Sequence, residues 1–191
     1  MKLLHIDSSI QGDLSTSRAI SAAIVARLSA VHSGLEIIYR DLAAEPIGHL
    51  LPGDLASPQT DAIASEFLAA DIVVIGVGLY NFTIPTQLKA WIDRILIPGR
   101  TFRYTEAGPE GLAGDKTVFV ALARGGNYSA DNVNAAREHA ETYLRGVLDF
   151  IGVTDPEFII AEGLALGDTV RTAAVDSAIE AAGKVSIPLA A

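Results

Sequence analysis

The run Ile72–Val77 (IVVIGV) constrains the fold more than any other segment, because it is apolar at every position. A strand without a polar face has to be covered on both sides, the situation of a central strand in a parallel sheet with helices packed above and below. The flanking sequence supplies those helices in alternation with further strands. Lys2–Ile6 is a short apolar run ending in Asp7, Ser8 and Ser9, and behind it Ile20, Ala23, Ile24 and Leu28 recur at helical spacing. Leu35–Tyr39 (LEIIY) follows Gly34, as a strand follows the turn at a helix C-terminus. After a stretch punctuated by Pro46, Pro52, Gly53 and Pro58, residues 60–70 carry Ile63, Phe67 and Leu68 and lead into the IVVIGV run. Pro85 then opens a helix whose Leu88, Trp91, Ile92, Ile95 and Leu96 form one buried face.

The second half continues the alternation after one interruption. Residues 98–114 contain TFRYTE between glycines and prolines and read as an excursion of hairpin type, before Thr117–Leu122 (TVFVAL) supplies the next strand. A long helix over 131–150, a strand over Glu157–Ala161 and a last helix over 168–184 complete five strand-then-helix units. That succession predicts an α/β protein, an open five-stranded parallel sheet with helices on both faces and right-handed crossovers. The Ala-rich last helix is helix-prone sequence with no functional signal of its own. The 191 residues are expected to form a single domain, 1–191.

Composition narrows the function. The chain has no cysteine, which excludes disulfides, thiolate catalysis, Cys-ligated zinc and iron–sulfur clusters. Its formal net charge of −9, without a Lys/Arg block, argues against a nucleic-acid surface or a basic membrane patch. No apolar run reaches the length of a membrane span, and Asp7 stands where a secretory signal would be apolar, so a cytoplasmic protein is expected. None of His5, His32, His49 and His139 has the spacing of a metal pair, and no metal site is expected; His5 reads as a packed strand residue. Trp91 reads as core or dimer interface. What remains is a domain that handles a small molecule.

In open parallel sheets ligands bind beyond the carboxyl ends of the strands, so the loops there carry the chemistry. After the first strand come Ser8 and Ser9, then Ser15, Thr16 and Ser17 at the mouth of a helix. Hydroxyls beside the unpaired N–H groups of a helix N-terminus suit a phosphate, although an ordinary N-cap explains Ser15 or Thr16 equally well. There is no GxxxxGK[ST], no complete GxGxxG and no GxSxG, so neither a nucleoside triphosphatase, a dinucleotide fold nor a nucleophile-elbow hydrolase is signalled. A hydroxyl-lined site without a lysine suits a single phosphate monoester. After the third strand, Leu79, Tyr80, Asn81 and Phe82 bring aromatics and an amide to the sheet edge. After the fourth, Ala123, Arg124, Gly125 and Gly126 offer a backbone that can approach a planar ligand closely; packing and a tight turn are the plain alternatives for these two loops. Asp41, past the second strand, could be mistaken for a ribose ligand.

Taken together, SSI at 8–10, STS at 15–17, LYNF at 79–82, PTQLK at 85–89, TFRYTEAGPEGL at 101–112 and ARGG at 123–126 resemble the FMN-dependent NADH:azoreductases, over nearly the whole chain. The resemblance implies a flavodoxin-like fold with strand order 2-1-3-4-5, noncovalent FMN, and a homodimer with active sites at the interface. It further implies two-electron reduction of quinones and azo compounds by NADH or NADPH, and ping-pong turnover, with donor and acceptor using one space in turn, is the expected mechanism. By motif, Ser9, Ser15, Thr16 and Ser17 would hold the phosphate and ribityl end of FMN, while Leu79, Tyr80, Asn81, Phe82, Ala123, Arg124, Gly125 and Gly126 would frame the ring. Tyr104 and Phe150 match positions that wall the substrate space, Tyr104 as a residue that the partner subunit can supply. Leu79 stands where the family often has Met and Ala123 where it often has Ser, and the link between Pro46 and Pro58 is short. Since the flavin carries the chemistry, no catalytic side chain is expected. The alternatives are a quinone or flavin reductase with incidental azo activity, a carrier-protein phosphodiesterase, and an electron carrier of the flavodoxin type.

Overall fold

The computed structural model describes residues 1–187. Five strands form one sheet: β1 (Lys2–Asp7), β2 (Glu36–Asp41), β3 (Ile72–Gly78), β6 (Thr117–Ala123) and β7 (Glu157–Ala161). Between them lie α1 (Thr16–Val31), α2 (Pro58–Ala69), α3 (Thr86–Ile95), α4 (Ala140–Phe150) and α5 (Asp168–Ala182), with a hairpin of β4 (Phe102–Thr105) and β5 (Gly108–Gly111) after α3. The sheet is parallel throughout with order β2-β1-β3-β6-β7. This is the expected 2-1-3-4-5 arrangement once the hairpin strands are counted.

Strand alternation sorts the core into two faces. Leu4, Ile6, Val73, Ile75, Val77, Val118, Val120 and Leu122 face α2, α3 and α4, where they pack with Phe67, Leu88, Trp91, Leu144 and Leu148. Leu3, Ile72, Val74, Phe119 and Ala121 face α1 and α5, meeting Ile20, Ile24, Leu28, Ala178 and Ala182. Every residue of β3 is buried, as an all-apolar strand covered on both faces requires. Trp91 belongs to the core, with its ring edge-on to Phe67.

Element ends mostly fall within two residues of the sequence expectation, and two of the differences are informative. Pro85 stands just outside α3 at the N-cap, so that helix begins at Thr86. The helix expected from 131 begins only at Ala140, preceded by loop and a short turn at Ala135–Arg137. The cause is local. The Glu138 carboxylate accepts the N–H groups of Ala140 and Glu141, and the His139 N–H donates to the Phe82 carbonyl, so the donors that would continue the helix backwards are engaged elsewhere. The short link between Pro46 and Pro58 is held by buried Arg94, which donates to the Gly48 carbonyl, to Asp54 and to Thr60.

Candidate functional site

The order β2-β1-β3 puts the reversal of winding between β1 and β3, and the crevice there opens beyond their carboxyl ends. Ser8 ties the two strands together. Its N–H and hydroxyl both donate to the Gly76 carbonyl, at 3.1 and 2.7 Å. Gly76 pairs with Asp7 across the sheet, and a Cβ at 76 would overlap the Asp7 carboxylate, which explains a glycine inside an otherwise branched strand. The Asp7 carboxylate accepts from Ser21 Oγ at 2.8 Å and from the Tyr39 hydroxyl at 3.1 Å. Burial, with Asp7 close by, pushes the Tyr39 phenol up to about 12.

The first loop reaches the mouth of α1 through this network. Arg18 donates to both oxygens of Asp41, at 2.6 and 2.8 Å, and to the Ser9 carbonyl at 2.9 Å. Its hydrogen bonds hold the Asp41 carboxyl below the usual carboxylate range. Asp41 is therefore the anchor of Arg18. Ser15 is the N-cap of α1, accepting from the Arg18 N–H, and its Oγ lies 3.0 Å from Ser17 Oγ. Ser9, Ser15, Thr16 and Ser17 are all buried. Among the described residues, the N–H groups of Thr16 and Ser17 have no protein acceptor, as befits the first turn of a helix.

The second loop closes over the first. The Leu79 N–H donates to Ala123 at 2.8 Å, and the Tyr80 hydroxyl lies 2.9 Å from Ser9 Oγ. Tyr80 and Thr83 exchange backbone hydrogen bonds across a two-residue turn whose centre, Asn81 and Phe82, has φ of 48° and 74°. Such a turn needs the left-handed region at both central positions. Asparagine tolerates it, but phenylalanine does so only at a cost of about 1–2 kcal/mol. Phe82 is nevertheless 44% exposed, so its ring gains little from packing in return.

In the third loop Arg124 points inward. Its guanidinium is buried against Glu141, with Glu138 at 3.5 Å and Glu162 at 3.7 Å. Burial alone would raise the Glu141 pKa, and the hydrogen bonds from Arg145 and Arg124 outweigh it and hold the carboxyl low. The Arg124 side chain is thus engaged, and its backbone is committed as well: its N–H donates to the Ala161 carbonyl and its own carbonyl accepts from Leu164. Gly125 and Gly126 give their carbonyls to the N–H groups of Ala165 and Gly163, while their own N–H groups have no acceptor among the described residues.

Tyr104 and Phe150 are not brought to this edge. Each helix leaves the carboxyl ends of the strands and runs back, so the eleven-residue α4 carries Phe150 about 16 Å away, to the amino edge. There Phe102 meets Phe150 with tilted rings at 4.6 Å and Tyr104 edge-on at 5.5 Å between ring centres. The hairpin is fixed to the end of α4: Ala113 N–H donates to the Ile151 carbonyl at 2.8 Å, and a Cβ on Gly111 would overlap the backbone at Gly152. That close approach explains Gly111 of the signature. The Tyr104 ring remains 74% exposed. The role of Arg18 is not visible in the sequence, although it directly follows the STS run, because its partners Tyr39 and Asp41 come from another strand and leave no local mark.

Residues 1–185 match the family described as having a flavodoxin-like fold. The chain belongs to this family. Among curated flavodoxin-like relatives, the FMN-dependent NADH:quinone oxidoreductase 2 of Bradyrhizobium diazoefficiens is 54% identical, covering 95% of this chain and 97% of its own. The FMN-dependent NADH:quinone oxidoreductase of Methylorubrum extorquens is 56% identical, again with 95% of this chain and 97% of the relative covered. Among solved structures, the azoreductase of Bacillus anthracis strain Sterne superposes with a TM-score of 0.85 at 28% identity, covering 97% of this chain and all of that one. A Bacillus anthracis FMN-dependent NADH-azoreductase in complex with FMN gives a TM-score of 0.85 at 26% identity, over 96% of this chain and 98% of its own.

Proposed function

We propose that this flavodoxin-like protein is an FMN-dependent oxidoreductase that reduces quinones and azo compounds with NADH or NADPH in the cytoplasm. The observation that carries this reading is the set of uncommitted donors at one edge of the sheet. The N–H groups of Thr16 and Ser17, beside the hydroxyls of Ser9, Ser15 and Ser17, form a cradle for one phosphate at the positive end of α1. The N–H groups of Gly125 and Gly126 present a second pair of donors one loop away, suited to the electron-rich rim of a flavin ring. Leu79, Tyr80, Asn81 and Phe82 supply the wall between the two. The residues present therefore fit FMN, and the relatives' FMN dependence supports the same assignment.

Bound there, FMN would supply the two-electron chemistry. The chain's own part is to bind, orient and bias charge. The serines and the α1 amides hold the tail, Arg18 fixes Ser9 through its carbonyl, and the Gly125 and Gly126 amides favour negative charge at the ring's rim without having to reorganise. Ala123 ties the second loop to its strand by accepting from Leu79, and Arg124 positions the third loop through Ala161, Leu164 and its glutamates. Phe82 keeps an exposed aromatic surface beside the ring, for which the strain in its turn is the cost.

Tyr104 and Phe150 complete the site from a second copy of the chain. They lie at the amino edge, out of reach of their own crevice, and the groove between α3 and α4 that Phe150 shares with Leu96, Tyr143 and Val147 is mainly apolar, with the Lys89–Asp93 pair along it. A homodimer places the amino edge of one chain over the carboxyl edge of the other. The test is the visible spectrum of the purified protein during anaerobic titration with NADH. A yellow protein that bleaches with about one equivalent of NADH and recovers on adding benzoquinone supports the reading; a colourless protein that takes up no FMN overturns it. Because donor and acceptor use one space in turn, double-reciprocal plots run parallel.

A further inference from the structure

The cradle for the phosphate has a cationic wall that comes from the far end of the chain. α5 lays Ala174, Ala178 and Ala182 against Ile20, Ile24 and Leu28 of α1. These alanines follow Arg171 at helical spacings, so Arg171 continues their stripe by one turn and reaches over the first turn of α1. Its guanidinium lies 3.4 Å from the Thr16 hydroxyl, across 155 residues of sequence. The two helix starts enclose a cleft of about 300 Å³, whose lining includes Ser15, Thr16 and Arg171.

Charge placement separates Arg171 from Arg18 and Arg124. At this edge Arg18 is engaged by Asp41 and Arg124 by Glu141, each in an ion pair. Asp13 and Asp176 line the same cleft, yet among the described residues no carboxylate pairs with Arg171. Among the described residues its side chain donates to a neutral hydroxyl alone, and that hydroxyl belongs to the phosphate cradle. A chain of net charge −9 repels a phosphate dianion overall, so an unpaired guanidinium beside the cradle has a large local effect.

We propose that Arg171 is a specificity residue of the cofactor site, one that contacts the phosphate of the flavin and makes the protein select FMN over riboflavin. This rests on the flavin reading above and adds to it a side chain from α5. A guanidinium donates two parallel hydrogen bonds to a phosphate, and at a partly exposed site that amounts to about tenfold in affinity.

The experiment titrates the full chain, freed of flavin, with FMN and with riboflavin, following quenching of flavin fluorescence, for wild type, Arg171→Ala and Arg171→Lys. The expected result is a roughly tenfold weaker Kd for FMN in Arg171→Ala, an unchanged Kd for riboflavin, and an intermediate value in Arg171→Lys. The salt dependence of FMN binding becomes shallower in Arg171→Ala. Equal weakening for both flavins, or none for either, overturns the role of Arg171 while leaving the flavin site standing. A wild-type protein that quenches neither flavin removes the flavin site itself, and this proposal with it.

Discussion

The two edges of the sheet are built on opposite plans. At the amino edge the β4–β5 hairpin and the end of α4 are joined by glycine-to-backbone contact, a hydrogen bond from Ala113 to Ile151, and the tilted contact of the Phe102 and Phe150 rings. At the carboxyl edge, buried serines, free N–H groups and a left-handed Asn81–Phe82 turn coexist within three loops. One edge is fixed by contacts within the chain and presents the exposed Tyr104 ring on its hairpin; the other holds donors and strain in reserve. That contrast separates a region that shapes from a region that binds, and it explains why one chain alone does not bring Tyr104 to the crevice.

The strongest way to break the contrast is to block the binding edge without harming the fold. Thr16→Asp places a carboxylate in the first turn of α1, where the helix tolerates it well, and sets it against the phosphate. FMN affinity, read by fluorescence titration, should fall about 100-fold or more while the thermal midpoint moves little. Gly111→Ala attacks the other edge. The new methyl displaces the hairpin from Gly152, and urea unfolding should report a loss of about 2–3 kcal/mol with FMN affinity retained. A parallel loss of FMN affinity would mean that the edges are not separable.

A smaller effect sharpens the account of what supports the first loop. Tyr39 is held neutral in the folded protein, with its pKa pushed up to about 12, so its contribution to stability is complete below the unfolded value and is lost as pH rises through the folded one. Between about pH 10 and 12 the wild type should lose roughly 1 kcal/mol more than Tyr39→Phe, the amount being limited by the ring's 53% exposure. Smallest of all, Phe82→Gly relieves the left-handed turn and should stabilise the protein by roughly 0.5 kcal/mol, while kcat/KM for quinone falls.

Much of this was legible in the chain. The IVVIGV run announced the central strand, and the hydroxyl cluster at 15–17 announced a helix mouth with donors to spare, because both depend on near neighbours in sequence. The start of α4 was not legible, since it is set by the reach of Glu138 and by Phe82 accepting from His139. Nor was the separation of Tyr104 and Phe150 from the other site residues, which follows from helix direction and length, or the arrival of Arg171 from α5.

The central claim, that each working site joins the carboxyl edge of one chain to the amino edge of another, has a direct test in mixed dimers. Thr16→Asp chains are unfolded and refolded with equal amounts of Tyr104→Ala/Phe150→Ala chains, each inactive or nearly so alone, and NADH-dependent quinone reduction is measured. A site shared between chains restores about a quarter of wild-type activity, because half of the random dimers carry one intact site. If mixing restores nothing although heterodimers form, the site lies within one chain and the account is wrong.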